Sequence, residues 1–413
     1  VVLPQAFRVR MPLQSKWFLP AMVFAHFVAA LLVKPAAVML IPVFISLHLF
    51  HFKANWKKMA PLLFMMTLLA AYFVIITKQL QPDSELEFSY GAMERAQTGL
   101  ASLGFYLSKL IWPFGLSPDY GLIPPKLLAS PQALLYQSLG LMLIAALGVS
   151  WFRARSLAFA LTLLVTGLLP VLGLVPFEYQ NISTVADRYM HFVPMLGFGF
   201  VLAWLAKKYA LTQIRVLFLA LAFLLAFIST IQTRHWRSNQ SLFTQVIKVN
   251  PESHLAYNNL GLTALRSKDY DEAERYLLKA MELKSKYSAA QSNLGVVYFR
   301  QKKVAKTIEH YSRVLQEYPE KTAGDPTTFA DMHYNLGAAL VNVGQVQESI
   351  PHLKKAIEIN ALHFKAYFHL GRVFAHQGQF GQAMIALQSA LRLNPNHQDL
   401  KELIARIQQV QNK

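Results

Sequence analysis

Asp187, Arg188 and Tyr189, together with Lys34, are polar or charged residues in a largely apolar half of the sequence. A cation at membrane depth costs about 2.5 to 3.5 kcal/mol on insertion scales, so one that is retained usually has an anionic partner. A phosphate carried by a lipid is one such partner, because an arginine can donate two parallel hydrogen bonds to its oxygens. Two explanations without a ligand stay open: Arg188 pairs with Asp187 or Glu178, and Lys34 snorkels from a helix end.

A second set of polar residues stands directly before recurring Leu-Gly pairs: Asn259, Asn293, Asn335 and His369. A side-chain amide offers both a donor and an acceptor, so a ladder of asparagines can pair with the backbone of an extended peptide whatever its sequence. A purely structural role for asparagine at a fixed position of a repeat explains the spacing equally well. These four residues are the predicted peptide-binding groove.

Several chemistries lack the residues that they need. The absence of cysteine excludes disulfides, thiolate nucleophiles and cysteine-ligated zinc. No HExxH motif accompanies His48 and His51, and neither a Walker loop nor a GxGxxG loop occurs. We therefore predict no metal site, no nucleotide site and no cofactor.

Apolar and charged residues are divided unevenly along the chain. Hydrophobic residues make up 54% of the sequence and charged residues 15%, against roughly 25% charged in soluble proteins. Long uncharged runs fill the residues before Arg234, whereas charges recur every few residues after it. The net charge of +18 is spread over both parts, which argues against a nucleic-acid-binding patch.

A membrane-spanning helix needs about 20 apolar residues. Five runs meet this test: 59–77, 133–151, 156–175, 190–206 and 211–232. Lys34 and Pro35 interrupt the apolar run 17–50, which predicts two short helices that meet at a turn; one long kinked span is the alternative. The stretch 99–116 is apolar but contains Lys109, which predicts an interfacial connector helix or, alternatively, a lid over a lipid-facing cavity.

The charges of the loops predict the orientation of these spans, because basic loops face the cytoplasm. The basic loops contain Arg8, Arg10, Lys16, Lys53, Lys57, Lys58, Arg153, Arg155, Lys207, Lys208 and Arg215. The less basic loops 78–131 and 176–189, and everything from Arg234 onward, then lie outside the cytoplasm. We predict an integral membrane protein, as in a bacterial inner membrane, whose C-terminal half is periplasmic or otherwise extracytoplasmic.

The C-terminal half repeats itself. The pairs Leu260-Gly261, Leu294-Gly295, Leu336-Gly337 and Leu370-Gly371 recur at intervals of 34, 42 and 34 residues. A 34-residue period with small residues 12 and 19 positions after the glycine is typical of tetratricopeptide repeats (TPRs), in which two helices pack closely. In such a stack the first helix of each pair lines a concave groove. The segment 320–328 is an insertion between the second and third repeats.

Three stretches followed by these repeats carry a family resemblance: LLVKPAAVMLIP (31–42), LSKLIWPFGLSPDYG (107–121) and STVADRYMHFVPMLGFGF (183–200). The chain resembles the membrane O-mannosyltransferases that end in lumenal TPRs, and their bacterial relatives. Those are multi-spanning C-type glycosyltransferases that use polyprenyl-phosphate-linked sugars. The resemblance implies that Arg188, Lys34, Asp187 and Tyr189 bind the donor phosphate.

The same resemblance implies an acidic catalytic base in an outer loop near the N-terminus. No such loop precedes Trp17. Two interpretations follow: the base lies upstream of Val1 and this chain is a fragment, or the chain is a non-catalytic relative. The catalytic residues are therefore not assigned.

The expected fold is all-α, with a polytopic helical membrane domain followed by a TPR α-solenoid. The expected parts are a membrane domain of about seven helices (1–233), a connector with a partial TPR helix (234–252), four TPR repeats (253–395) and a capping helix (396–413). The expected partners are a polyprenyl-phosphate-linked sugar, an acceptor protein or peptide in the groove, and the lipid bilayer. The expected function is sugar transfer to that acceptor; the alternative is a non-catalytic membrane-anchored TPR scaffold.

Overall fold

The computed structural model describes residues 18–33, 40–47, 56–80, 91–174, 178–187, 193–209, 212–317 and 326–411. All regular secondary structure in these ranges is helical, which confirms the all-α expectation. The chain divides into two compact units, Val1–Thr233 and Arg234–Lys413. Each unit has hydrophobic cores of its own.

The described part of the first unit consists of helices of very different length. Its α-helices are α1 (Phe18–Val33), α2 (Leu40–Leu47), α3 (Trp56–Leu80), α4 (Ala92–Ile111), α5 (Pro124–Ala129), α6 (Ala133–Arg153), α7 (Arg155–Leu168), α8 (Val193–Lys208) and α9 (Thr212–Thr233). Helices α1 and α2 lie on either side of the predicted Lys34-Pro35 turn, and that turn is outside the described residues.

Helices α4 and α6 cross at very short distance because each carries a glycine at the crossing point. A Cβ atom on Gly104 of α4 would overlap the carbonyl oxygen of Tyr136, and one on Gly140 of α6 would overlap the carbonyl oxygen of Leu100. The adjoining core contains Phe105 and the fully buried Tyr106. Contact between backbones at such a crossing requires residues without a side chain.

The helix predicted near 99–116 is α4, and its observed bounds differ from the predicted ones. It begins at Ala92 and ends at Ile111. Nine of its residues are buried, including Phe105 and Tyr106, so one face of α4 packs against the rest of the unit. The interfacial position of this helix, and its alternative role as a lid, stay predictions.

Among the described residues, α6 is the one helix long and apolar enough to cross a membrane. Its Leu134 and Phe152 side chains are 77% and 88% exposed, as a lipid-facing surface would be. Two shorter apolar helical stretches, Ala60–Phe73 and Arg155–Val171, correspond to two further predicted spans. The membrane domain with several spans therefore stays a prediction.

The second unit is built from helices of similar length that follow one another in antiparallel pairs. They are α10 (Asn239–Val249), α11 (His254–Arg266), α12 (Tyr270–Leu283), α13 (Ser288–Arg300), α14 (Val304–Glu317), α15 (Pro326–Asn342), α16 (Val346–Ile359), α17 (Phe364–His376), α18 (Phe380–Leu393) and α19 (Gln398–Gln411). The pairs α11–α12, α13–α14, α15–α16 and α17–α18 are the four predicted repeats. Residues 320–325 of the predicted insertion lie outside the described residues, and 326–328 form the start of α15.

The Leu-Gly pairs mark the packing seam of each repeat. A Cβ atom on Gly261, Gly337 or Gly371 would lie 2.5 to 2.9 Å from a leucine of the second helix, at Leu277, Leu353 or Leu387 respectively. The small residues predicted for the second helices are buried: Ala273, Ala280, Thr307, Ser349, Ala356, Ala383 and Ala390. The glycine therefore lets the two helices approach closely, and the leucine fills the space.

Each repeat also turns through a residue with left-handed backbone geometry. These residues are Lys268, Lys302, Gly344 and Gly378, with φ angles of +64°, +62°, +81° and +72°. They are separated by the same 34, 42 and 34 residues as the Leu-Gly pairs. The turn between the two helices thus has one conformation in all four repeats, although glycine occupies it in only two.

Candidate functional site

A groove of about 1060 Å³ opens in the second unit. It is lined mainly by the first helices α13, α15 and α17 and by the last helix, α19. A volume of this size exceeds the usual range of small-molecule pockets, about 300 to 1,000 Å³, and suits a segment of extended polypeptide. Helix α19, which was expected only to cap the solenoid, supplies one wall through Leu403, Arg406, Ile407 and Val410.

Three of the four predicted groove residues line this groove: Asn293, Asn335 and His369. Asn259 is not part of its lining, and its Nδ2 donates to the carbonyl oxygen of Leu255 at 2.8 Å within α11. The Nδ2 of Asn293 donates to Oδ1 of Asn258 at 2.9 Å. The Nδ2 groups of Asn259, Asn293 and Asn335 thus each donate one hydrogen bond to another group of the protein. No described residue donates to the Oδ1 atoms of Asn293 and Asn335, which leaves these acceptors for a ligand backbone.

Tyr311 is a groove residue that the repeat pattern did not predict. It occupies the position that leucine fills in the other three repeats, and its ring lies against Gly295. Its hydroxyl donates to the carbonyl oxygen of Ser292 at 2.7 Å and accepts from Nδ2 of Asn335 at 3.2 Å. Burial raises the pKa of this phenol, so Tyr311 remains a neutral donor. Tyr311 interrupts the series Leu277, Leu353 and Leu387, and this irregularity in the sequence could have identified it.

The groove is rich in positive charge. Arg300, Lys365, Arg372 and Arg406 line it and are exposed, and Asp331 is its single acidic residue. Asp331 is in turn engaged by Nε2 of His363 at 3.1 Å. Sequence reasoning missed these cations, because they come from three helices that are separated in the chain.

The pKa of His369 is affected by its position in the groove. Burial, and then the positive charges of Arg372 and Lys365, lower its pKa to about 4. Its Nε2 lies 3.4 Å from the hydroxyl of Tyr334, and the two rings meet edge to face. At neutral pH His369 is therefore an uncharged polar group, and the cations around it give the groove its positive field.

The first unit contains a second candidate site, where two loops meet at Asp187. The Oδ1 atom of Asp187 accepts from the Tyr120 hydroxyl at 2.8 Å, and its Oδ2 atom accepts from the backbone N–H of Ser117 at 2.5 Å. Burial and the neighbouring carboxylate raise the pKa of Tyr120, which keeps its hydroxyl protonated. Asp187 therefore ties the end of the 178–187 segment to the loop that follows α4.

Further hydrogen bonds join the same two loops. The backbone N–H of Ala186 donates to the hydroxyl of Tyr106 at 3.2 Å, and the hydroxyl of Tyr179 donates to the carbonyl oxygen of Pro118 at 2.6 Å. Nζ of Lys109 donates to the carbonyl oxygen of Phe114 at 2.6 Å, lies 5.2 Å from the centre of the Tyr120 ring and interacts electrostatically with Asp187. Two stretches of the family resemblance thus meet in one polar cluster.

Asp187 is the one described member of the predicted phosphate site. Lys34, Arg188 and Tyr189 lie outside the described residues. Both carboxylate oxygens of Asp187 already accept hydrogen bonds, so in this structure Asp187 holds a loop in place.

Comparison with known proteins identifies the repeats. Residues 228–288, 269–322 and 334–397 match the tetratricopeptide repeat family model, which confirms the predicted TPRs. Human protein O-mannosyl-transferase TMTC3 is 23% identical over 275 residues, covering 63% of this chain and 30% of that protein. The Drosophila melanogaster Tmtc3 protein is 24% identical over 178 residues, covering 42% of this chain and 18% of that protein.

Other TPR proteins match a smaller share of this chain than human TMTC3 does. The wheat (Triticum aestivum) Hsp70-Hsp90 organizing protein is 24% identical over 144 residues, covering 35% of this chain and 23% of that protein. Among solved structures, YrrB, described as a TPR protein with an unusual peptide-binding site, is 23% identical with a TM-score of 0.34, covering 41% of this chain and 84% of that chain. The chain spans less than a third of the length of the TMTC3 proteins that it matches.

Proposed function

We propose that this chain is part of a membrane glycosyltransferase that moves a sugar from a polyprenyl-phosphate donor to a polypeptide held by extracytoplasmic TPRs. The extent of the match to TMTC3 is the observation that supports it. The match covers 63% of 413 residues, about 260, whereas the TPR unit from Arg234 to Lys413 has only 180 residues. About 80 matched residues or more therefore belong to the first unit, and repeats alone do not account for the similarity.

In this proposal the two candidate sites have separate tasks. The Asp187 cluster positions the adjoining Arg188, whose guanidinium binds a donor phosphate through two parallel hydrogen bonds, with Lys34 and Tyr189 contributing to the same site. The groove holds the acceptor through the free oxygens of Asn293 and Asn335. An acidic catalytic base, which the family resemblance implies, is not assigned to any residue of this chain.

The proposal also includes a location. The apolar runs predict that the first unit spans a bilayer, as in a bacterial inner membrane, and the basic loops predict that the TPRs lie on the extracytoplasmic side. A donor that carries its sugar on a lipid would meet the acceptor there without nucleotide chemistry. A reporter that is active only in the cytoplasm, fused after Lys413, should be inactive in cells.

Transfer of sugar in membranes tests the enzymatic function. Membranes containing the full-length gene product would receive polyprenyl-phosphate-linked hexoses, and sugar bound to copurifying protein would be measured by mass spectrometry. Wild-type membranes should modify the acceptor, and Arg188→Ala membranes should not. Stable capture of a protein partner by wild-type membranes, with no transfer from any lipid-linked sugar, would contradict it.

That last outcome would favour a membrane-anchored TPR scaffold, the second candidate function. The observation in its favour is the similarity of the repeats to those of the Hsp70-Hsp90 organizing protein, together with a groove of peptide size. A scaffold needs the groove and the anchor but not the phosphate site. Arg188→Ala should then leave partner assembly unchanged.

A further inference from the structure

We propose that the groove between α13, α15, α17 and α19 binds an acidic segment of a polypeptide, whose carboxylates pair with Arg300, Lys365, Arg372 and Arg406. This inference rests on the proposed role of the TPRs as the acceptor-binding part and names the chemical class of that acceptor. The cations supply the charge, and the asparagine oxygens supply acceptors for the ligand backbone.

The charge of the groove is not compensated from within. Among the described residues, Arg300, Lys365 and Arg372 have no ion-pair partner, and the guanidinium of Arg372 lies 5.8 Å from the centre of the Phe368 ring. Arg406 has a distant partner in Glu402, at 3.8 Å and largely exposed. The single acid, Asp331, is already engaged by His363. A ligand that brings carboxylates would therefore meet four exposed cations and a single groove carboxylate.

Cations on the second helices behave differently. Lys279 pairs with Glu282 at 2.8 Å, Lys306 with Glu274 at 3.2 Å, and Lys355 with Glu358 at 2.9 Å. These pairs lie on α12, α14 and α16, and none of their members lines the groove. These three cations thus have acidic partners within 3.2 Å, whereas Arg300, Lys365 and Arg372 of the groove have none among the described residues. Complementarity of charge determines which partner fits a surface more than it determines affinity.

Burial, and then the positive charges of the groove, lower the pKa of His369. Arg372 and Lys365 lie near enough to disfavour a proton on its ring. An anion bound between these cations would offset their charge and raise the pKa of His369. His369 is therefore a built-in reporter of a bound carboxylate.

The groove also selects against a purely acidic chain. Phe299, Tyr334, Val341 and Ile407 line it between the cations. Apolar side chains of a ligand would bury against this surface at about 25 cal/mol per Å². The segment that fits best therefore alternates acidic and apolar residues in an extended conformation, so that its two faces meet the two kinds of surface.

Peptide binding to the full-length protein in detergent tests the inference. The probe is a fluorescent peptide of about 12 residues in which glutamates alternate with apolar residues, and the matched probe replaces every glutamate by glutamine. The acidic peptide should bind at least tenfold more tightly than its amide counterpart, equivalent to about 1.4 kcal/mol, and should weaken as salt rises. Binding should also raise the pKa of His369, measured by NMR of labelled histidine.

Charge-matched variants assign the binding to the groove. Arg300→Gln combined with Arg372→Gln removes two groove charges and should weaken binding of the acidic peptide by about tenfold. The control combines Arg313→Gln with Lys401→Gln, which removes two exposed charges outside the groove and should change affinity less than twofold. Thermal melting checks that both double variants are folded. A similar loss in the control, or equal binding of the acidic and amide peptides, would overturn the inference.

Two further measurements separate this inference from other outcomes. If a single-stranded oligonucleotide of equal charge binds more tightly than the acidic peptide, and the groove variant loses that binding, the inference is overturned in favour of a nucleic-acid ligand. Sugar transfer measured on the same preparations distinguishes the two proposals. If the acidic peptide binds but no sugar is transferred, the inference is supported and the proposed enzymatic function is contradicted. If sugar is transferred equally well by the wild type and the groove variants, the enzymatic function is supported and the inference is contradicted.

Discussion

Asn335 donates a 3.2 Å hydrogen bond to the hydroxyl of Tyr311, so a core residue of the second repeat orients a groove residue of the third. The same hydroxyl donates to Ser292 in the preceding helix. One side chain thereby connects α13, α14 and α15 and spans the point where the chain carries its insertion. This polar contact adds to the apolar surfaces through which consecutive TPRs meet.

Tyr311→Phe removes both hydrogen bonds and keeps the ring that fills the space beside Gly295. We expect it to lower the free energy of opening of α13 to α15 by about 1 to 1.5 kcal/mol, since a buried hydrogen bond contributes about that much. Peptide binding should weaken as well, because Asn335 loses its orientation. Hydrogen exchange of the full chain measures the first effect. Unchanged exchange in all three helices would contradict the structural role of the hydroxyl.

Lys302 holds a left-handed backbone conformation, with φ of +62°, at the position that glycine occupies in the last two repeats. Left-handed geometry costs a residue with a side chain roughly 1 to 2 kcal/mol. Replacement by glycine removes this cost, but the greater conformational freedom of glycine in the unfolded chain offsets part of the gain. Lys302→Gly should therefore stabilise the second repeat by about 0.5 to 1 kcal/mol. Gly378→Ala is the opposite change at the equivalent turn and should destabilise. A lower melting temperature for Lys302→Gly would show that its side chain contributes more than its backbone costs.

Local packing and the groove positions of Asn293, Asn335 and His369 could be predicted from the sequence, and the positive charge of the groove could not. The Leu-Gly pairs and small residues specify how two adjacent helices pack, and Gly261 with Leu277 lie only 16 positions apart. The positive field needs Arg300, Arg372 and Arg406 together, and these are brought together only by the superhelical path of the whole stack. The carboxylate of Asp187 likewise reaches Ser117, 70 positions away, through a fold that hydropathy does not specify.

Gly104 lies at the closest point of the α4–α6 crossing. Gly104→Ala would place a methyl group against the backbone of Tyr136, where no side chain can move aside, so α4 and α6 must separate. We expect a loss of about 1 to 3 kcal/mol in the stability of the first unit. Gly148→Ala on α6 is the matched control, since nothing lies within 4 Å of its Cβ position. The control should be neutral or stabilising by up to about 1 kcal/mol, because alanine favours a helix more than glycine. Equal melting temperatures for the two variants in detergent would contradict the close crossing.

His333 and His352 stack with their Nδ1 atoms 3.1 Å apart, on α15 and α16. Burial, then the positive charges of His352 and Lys355, lower the pKa of His333 to about 4, and burial also lowers that of His352. The unfolded chain binds these protons near pH 6.5 and the folded chain does not, so stability is full above pH 6.5 and falls as the pH drops toward 4. His333→Gln should flatten this dependence. Melting temperatures of wild type and variant between pH 7.5 and 4.5 measure it, and parallel curves would exclude the histidine pair as the cause.

Asp187 and Arg188 are neighbours in sequence, and their conservative variants should separate tethering from ligand binding. Asp187→Asn retains one acceptor oxygen but presents an NH₂ group to the second donor, so either Tyr120 or Ser117 loses its partner. Exchange of amides in 112–123 and 178–187 should become faster, corresponding to a loss of about 1 to 3 kcal/mol. Arg188→Lys keeps the charge but loses the planar fork, so it should weaken binding of a polyprenyl-phosphate sugar while leaving amide exchange unchanged. If Arg188→Lys instead lowers the melting temperature and leaves donor affinity intact, the guanidinium is a structural ion-pair partner and the phosphate site must be sought elsewhere. Because both variants are made in one full-length protein, the exchange and affinity measurements can be compared directly, and each residue serves as the control for the other.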